Sequence, residues 1–182
     1  MSGDKTKDKG GPDIAVHYFE DDGRIPNNPR LPVLVYPAVL NLSGSDSAHD
    51  CIDRFAEHGW SGAWQNGIYS FPHYHSTAHE VLGICRGQVS VRLGGEMGLI
   101  VDMKAGDALL LPAGTGHQNL GSSPDLLVVG AYPDGADWDL CRGQRDERPA
   151  AIARIEGLPL PRTDPIFGCR GPLRRHWCRA VG

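Results

Sequence analysis

The chain lacks the features that mark several large classes of protein. No run of 18 apolar residues occurs in it, so no membrane-spanning helix and no membrane partner are expected. Its opening, MSGDKTKDKGGPD, has charges but no apolar core of the kind a secretory signal needs, and residues 1–12 are expected to form a disordered arm. There is no basic excess. Lys+Arg 18 against Asp+Glu 22 leaves a formal net charge of −4, which offers nothing to track a phosphate backbone and argues against nucleic acid. Cysteine is sparse and odd in number (Cys51, Cys85, Cys141, Cys169 and Cys178), with no C-x-x-C pair. A disulfide framework is therefore disfavoured, as is a zinc site on Cys169, His176 and Cys178, and a reducing cytoplasm is the expected location.

Turn residues are plentiful instead. Among 182 residues there are Gly 24 and Pro 14, which favours many short strands over long helices. Residues 13–60 hold two strand-like runs, VHYF and LPVLVYPAVL, and then one helix from Ser45 to His58 that Ser45 or Asp46 can cap and Gly59 can stop. Residues 61–132 read as eight closely spaced strands: Trp64–Tyr69, His73–His75, Glu80–Cys85, Gln88–Leu93, Leu99–Asp102, Ala108–Leu111, His117–Leu120 and Leu126–Tyr132. That pattern predicts an all-β jelly-roll barrel in a single domain. Residues 133–182 read as a polar loop, with DGADWD as a solvated segment, followed by an extended proline-rich tail. Ile166, Phe167, Leu173 and Trp177 would pin this tail outside the barrel as a strap, with a lid over the site as the lesser alternative. An exposed sheet edge invites pairing, so a homodimer joined through an N-terminal strand is expected.

Four of the eight histidines lie between positions 73 and 117. His73 and His75 are two apart, which in a strand puts both side chains on one face, roughly 6–7 Å apart at their roots. Glu80 follows after a turn, and His117 comes from a later strand. Three neutral imidazoles and a carboxylate suit one divalent transition metal: iron, zinc, nickel or manganese. With the ion present the set carries a charge of +1, which favours a small organic anion as ligand, and an octahedral ion keeps two positions open. His79, next to Glu80, should point to the opposite face, outward or behind the ligands. Tyr74 should likewise face away, and Cys85 should be a buried small hydrophobe. Trp64, Tyr69 and Asn119 are candidates for the pocket mouth.

GIYSFPHYHSTAHEVLGICRG resembles the first cupin motif: Gly67, five residues, His73-x-His75, four residues, Glu80, six residues, Gly87. GDALLLPAGTGHQN resembles the second, with Gly106, Pro112, Gly114 and His117 in place. The resemblance implies a cupin double-stranded β-helix with His73, His75, Glu80 and His117 as metal ligands and the glycines and proline as turn residues. It departs from the motif at Gly121, where the family carries an Asn; here Asn119 stands two residues earlier. A closer likeness runs through IPNNPRLPVLVY, HYHSTAHEVLGI, GDALLLPAGTGH and DPIFGCRGPL, which look like the bacterial YjlB-type cupins. The expected function is a metal-dependent cupin enzyme, of dioxygenase type or else an isomerase or lyase. The alternative is a non-catalytic cupin that binds metal and a small ligand as a sensor.

Overall fold

One strand, β4 (Glu80–Arg86), shows how the barrel is organised. Its side chains alternate between two apolar clusters: Leu82 and Ile84 belong to one, Val81 and Cys85 to the other. Glu80 shares the parity of Leu82 and so faces the first cluster, which also contains Val89, Val91 and Leu93 from a different sheet. That cluster is the barrel interior. The second lies on the outer face of the sheet, beneath a helix and the C-terminal segment.

The computed structural model describes residues 13–178; the arm expected at residues 1–12 lies outside the described residues. In chain order β1 (Ala15–His17) and β2 (Val33–Tyr36) precede helix α1 (Ser47–Glu57), followed by β3 (Trp60–Asn66) and β4. Then come β5 (Gln88–Leu93), β6 (Leu99–Lys104), β7 (Ala108–Leu111), β8 (His117–Ser122) and β9 (Leu127–Pro133), and finally helices α2 (Arg148–Gly157) and α3 (Pro172–Cys178). The strands form a six-stranded sheet, β1-β2-β7-β4-β9-β3, facing a three-stranded sheet, β6-β5-β8. Every strand pair is antiparallel. This is the all-β cupin barrel.

Helix α1 starts at Asp46, whose carboxylate accepts from the N–H groups of Ala48 and His49, and it stops at Gly59, which adopts φ +78°. It packs closely on β4 because residue 83 is glycine: a Cβ there would lie 2.4 Å from the Cys51 sulfur. Cys85 is buried on this face, as the alternation predicts. The expected strand His73–His75 is instead two isolated bridges, His73 to His117 and Tyr74 to Cys141. The N-terminal strand expected to reach a partner pairs with β2 of its own chain.

The C-terminal segment is not the extended tail that its prolines suggest. Proline interrupts a helix only in its interior; in the first turn its missing N–H costs nothing. Pro149 occupies the first turn of α2 and Pro172 opens α3. Between these helices and along α3 the segment is pinned to the outer face of the six-stranded sheet, as a strap would be. Ile166, Leu173 and Trp177 are buried, while Phe167 stays partly exposed. The Trp177 indole donates to the Pro32 carbonyl (2.9 Å) and that of Trp60 to the Thr163 carbonyl (3.0 Å).

Asp164 is fully buried and takes four hydrogen bonds: from the Tyr36 hydroxyl (2.7 Å) and from the N–H groups of Ile166, Phe167 and Leu173. Asp164→Ala should therefore lower unfolding stability by on the order of 3 kcal/mol, measured by urea denaturation, since several buried donors are left unpaired at once. A loss under about 1 kcal/mol would mean that the strap is held by apolar packing alone.

Candidate metal centre

The barrel brings the four candidate ligands to one end of its interior. Glu80 opens β4 in the six-stranded sheet, and His117 opens β8 in the three-stranded sheet. The HYH segment crosses between them. The His73 and His117 main chains exchange both hydrogen bonds (3.2 and 2.9 Å), which sets their rings side by side with centroids 4.0 Å apart. The ligating nitrogens of His73, His75 and His117 all lie within 4.8 Å of one another, and all three residues are buried. No other group of three or more metal-ligating side chains occurs among the described residues, so Cys169, His176 and Cys178 form none. Glu80 Oε2 lies 3.3 Å from His75 Nε2 and 3.5 Å from His117 Nε2.

Each imidazole is oriented from behind. Nδ1 of His73 contacts the Phe71 carbonyl (3.1 Å), Nδ1 of His117 the Thr115 carbonyl (3.1 Å), and Nδ1 of His75 the Asp139 carbonyl. A carbonyl only accepts, so each Nδ1 carries the proton and each Nε2 presents a lone pair when the ring is neutral. Three lone pairs and a carboxylate oxygen then face one another in a buried space. Glu80 Oε2 has no hydrogen-bond partner. Such a set is repulsive until a cation, either a proton or a metal ion, enters it. The residues therefore fit a divalent transition metal in number, in donor type and in tautomer.

The titration behaviour follows from this crowding. Burial, reinforced by His117, pushes the His73 imidazole down to about 2, so it stays neutral. Burial would raise the Glu80 carboxyl, but His75 and His117 outweigh it and hold it well below the usual carboxylate range. Burial opposes protonation of His75 too, yet the Glu80 carboxylate prevails and raises its pKa. Without metal, His75 and Glu80 thus share an ion pair.

Residues beyond the four ligands hold this geometry. Tyr132 on β9 donates its hydroxyl to Glu80 Oε1 (2.8 Å), and the Trp64 indole on β3 donates to the Tyr132 oxygen (2.7 Å). The relay runs across three neighbouring strands, β4-β9-β3. Gly130, paired with Trp64, makes room for it: a Cβ there would come within 2.3 Å of the indole. The loop DGADWD is not the solvated segment expected from its charges. Its Asp139 carbonyl holds His75, and the Asp139 carboxylate takes the N–H groups of Ser76 (2.6 Å) and Thr77 (3.2 Å) and the Arg154 guanidinium (3.3 Å). Burial would raise that carboxyl, but the hydrogen bonds from Ser76, Cys141 and Thr77, led by Ser76, hold it at about 2. Trp138 sets its ring edgewise on His75, centroids 5.0 Å apart.

The four ligands open on a cavity of about 370 Å³, to which Trp64, Tyr69, Tyr132 and Trp138 contribute aromatic walls. Trp64 and Tyr69 lie where the sequence suggested. Asn119 is not in the lining; its side chain accepts from the Gly121 N–H (2.8 Å), a turn role. Tyr74 is fully buried in a third apolar cluster away from the cavity. His79 does point opposite to Glu80, but it is buried, not outward-facing. Its Nδ1 accepts from the Ala113 N–H (3.0 Å) and its ring lies against Trp177. Tyr132 was legible from strand parity, since it shares the parity of the inward Val128. Trp138 and Asp139 had no comparable signal, because loops carry no period.

The chain is 43% identical over 164 residues to a Bacillus subtilis (strain 168) protein described as uncharacterized protein YjlB, spanning 90% of this chain and 96% of that one. The chain belongs to the YjlB-type cupins. No family model matches this cupin. Among solved structures, it resembles an acireductone dioxygenase from Bacillus anthracis with cadmium in its active centre: 17% identity, 55% of this chain and 77% of that one, TM-score 0.38. A dTDP-6-deoxy-D-glucose-3,5-epimerase from Legionella pneumophila matches at 11% identity, 66% of this chain and 72% of that one, TM-score 0.37. A Klebsiella pneumoniae protein with a double-stranded β-helix domain matches at 15%, covering 75% and 89%, TM-score 0.33. Likenesses this distant bear on none of the cupin's chemistry.

The His75–Glu80 pair predicts a pH signature for the metal-free cupin. The raised His75 pKa stabilises the fold fully below its ordinary 6.5 and is lost as pH rises through the folded value. The lowered Glu80 pKa stabilises above its ordinary 4.5 and is lost as pH falls through the folded value. With chelator present, the stability difference between wild type and His75→Gln should peak between pH 4.5 and 6.5 and shrink on the alkaline side. A difference that does not change with pH would contradict the pairing.

Proposed function

We propose that this YjlB-type cupin is a metal-dependent enzyme acting on a small organic anion, with His73, His75, Glu80 and His117 holding one divalent transition metal. The observation that carries the reading is Glu80 Oε2, buried without a hydrogen bond 3.3 Å from His75 Nε2 and 3.5 Å from His117 Nε2, beside three rings whose tautomers all direct lone pairs inward. A bound divalent ion would supply Lewis-acid polarisation and open coordination positions for an oxygen ligand. Dioxygenase chemistry through iron is the favoured reaction class; isomerase or lyase chemistry, and a sensory role without turnover, are the rivals.

The chain's own contribution is orientation and exclusion of water. Backbone carbonyls fix the three rings. Tyr132 fixes one Glu80 oxygen and leaves the other to face the histidines. Trp64, Tyr69 and Trp138 shield the cavity, which strengthens any electrostatic contact made inside it. Burial keeps the Tyr132 hydroxyl protonated, its pKa pushed well above the usual phenol range, so it serves as a donor at working pH. All five cysteines are free, which suits the cytoplasmic setting expected from the sequence. The homodimer would form at the outer edge of β1, the end strand of the larger sheet.

Protein expressed in its native host should carry about one divalent metal per chain, read by elemental analysis. His117→Ala and Glu80→Gln should lose most of it while circular dichroism still reports the barrel; His79→Ala should keep it. Tyr132→Phe should weaken metal affinity about 10- to 100-fold, the usual effect of removing a group that orients a ligand. Metal retained by Glu80→Gln and lost by His79→Ala would overturn the ligand set. Dioxygen uptake by the metal-loaded cupin would favour the oxygenase over both rivals.

A further inference from the structure

The composition of the cavity wall restricts what can bind in front of the ligands. Among the described lining residues there is no lysine, arginine or aspartate. The only polar side chains besides the four ligands and the aromatic Trp64, Tyr69, Tyr132 and Trp138 are Gln65 and Asn66, both uncharged. Each aromatic wall is tied to a different ligand. The Tyr69 ring meets His73 edgewise with centroids 5.1 Å apart, Trp138 meets His75 at 5.0 Å, and Trp64 reaches Glu80 through Tyr132. Tyr132 and Trp138 lie nearly parallel to each other, at 20°. Tyr69 and Trp138 remain 46% and 41% exposed, so their rings have face area still to cover.

Resting on the metal reading above, we infer that the ligand class of this site is a planar, conjugated or aromatic molecule that chelates through two adjacent oxygens and carries no second charged group. The anionic chelating head would be neutralised at the four ligands, where the set with its ion carries the one local positive charge. The body would then lie against ring faces, which stack with flat π surfaces. A phosphate, a second carboxylate or a nucleotide would be desolvated against tryptophan and tyrosine with no cation to meet it. The cavity, about 370 Å³, accommodates a single substituted ring. The inference narrows the anion of the proposed function to flat chelators.

The test uses cobalt-loaded full-length protein and three probes, followed by isothermal titration calorimetry with metal content checked afterwards. The probes are 4-nitrocatechol (flat, two adjacent oxygens), 4-nitrophenol (the same ring with one oxygen) and gluconate (a chelating, non-planar hydroxy acid). Nitrocatechol should bind at least about tenfold more tightly than either control, and Trp138→Leu and Tyr69→Leu should each weaken it by up to about tenfold without loss of cobalt. These side chains are partly exposed, so two independent variants guard against one misfolding. Gluconate binding as tightly as nitrocatechol, or nitrocatechol affinity unchanged in both variants, would overturn the planar-ligand inference and leave the metal reading standing. A chain that takes up no cobalt would defeat the metal reading, and this inference with it.

Discussion

The Nδ1–H groups of His73, His75 and His117 each point at a backbone carbonyl, and the character of the site follows from that constraint. An imidazole free to choose its tautomer could offer Nε2–H to Glu80 and form an ordinary neutral hydrogen bond. With Nδ1 already donating to Phe71, Asp139 and Thr115, a neutral ring has only a lone pair to turn inward. Burying a carboxylate among such lone pairs costs several kcal/mol, of the order seen for any unpaired buried charge. The set is at rest only with a cation in its midst. A proton can serve, as the raised His75 and lowered Glu80 pKa values show. A divalent ion would serve more completely, because it would engage several of these donors at once.

Sheet order makes this arrangement rigid. Glu80, Tyr132 and Trp64 stand on three adjacent strands, so the hydrogen bonds that orient the carboxylate run across the sheet rather than along a loop. Gly130 is required for the same reason, since any side chain there would displace the indole. His75 depends on a more distant support. The loop that carries Asp139 is held by Ser76 and Thr77 on one side and by Arg154 of α2 on the other. The C-terminal helices therefore reach the site indirectly, through the carbonyl that fixes one ring. None of their residues lines the cavity, in keeping with a strap and not a lid.

Where a residue repeats with a strand's period, the sequence revealed its place: the parity of Glu80, Leu82 and Ile84 against Val81 and Cys85 separates the barrel interior from the surface under α1. The spacing of His73, His75, Glu80 and His117 pointed to one cluster; the structure gathers the three histidines within 4.8 Å of one another and sets the Glu80 carboxylate 3.3 Å from His75 and 3.5 Å from His117. Helix α3 was hidden because Pro172, which opens it, suggests an extended chain, and α2 because its apolar residues gather only weakly on one face. Trp138 and Asp139 were hidden because a loop's contacts depend on tertiary closure. The acidic letters of DGADWD suggest solvent, whereas Asp139 spends its charge on backbone N–H groups. His79 shows the limit of parity: alternation gave its direction correctly, but not that Trp177 would cover it.

The central claim concerns protons and lone pairs, and nitrogen-15 NMR of the imidazoles reads both directly. In a sample labelled at histidine, the metal-free protein at alkaline pH should show His73, His75 and His117 as Nδ1–H tautomers. Addition of one equivalent of zinc should shift the Nε2 resonances of those three and leave His79 unmoved. Nε2–H tautomers at these positions, or a zinc response that includes His79 and omits His75, would contradict the account.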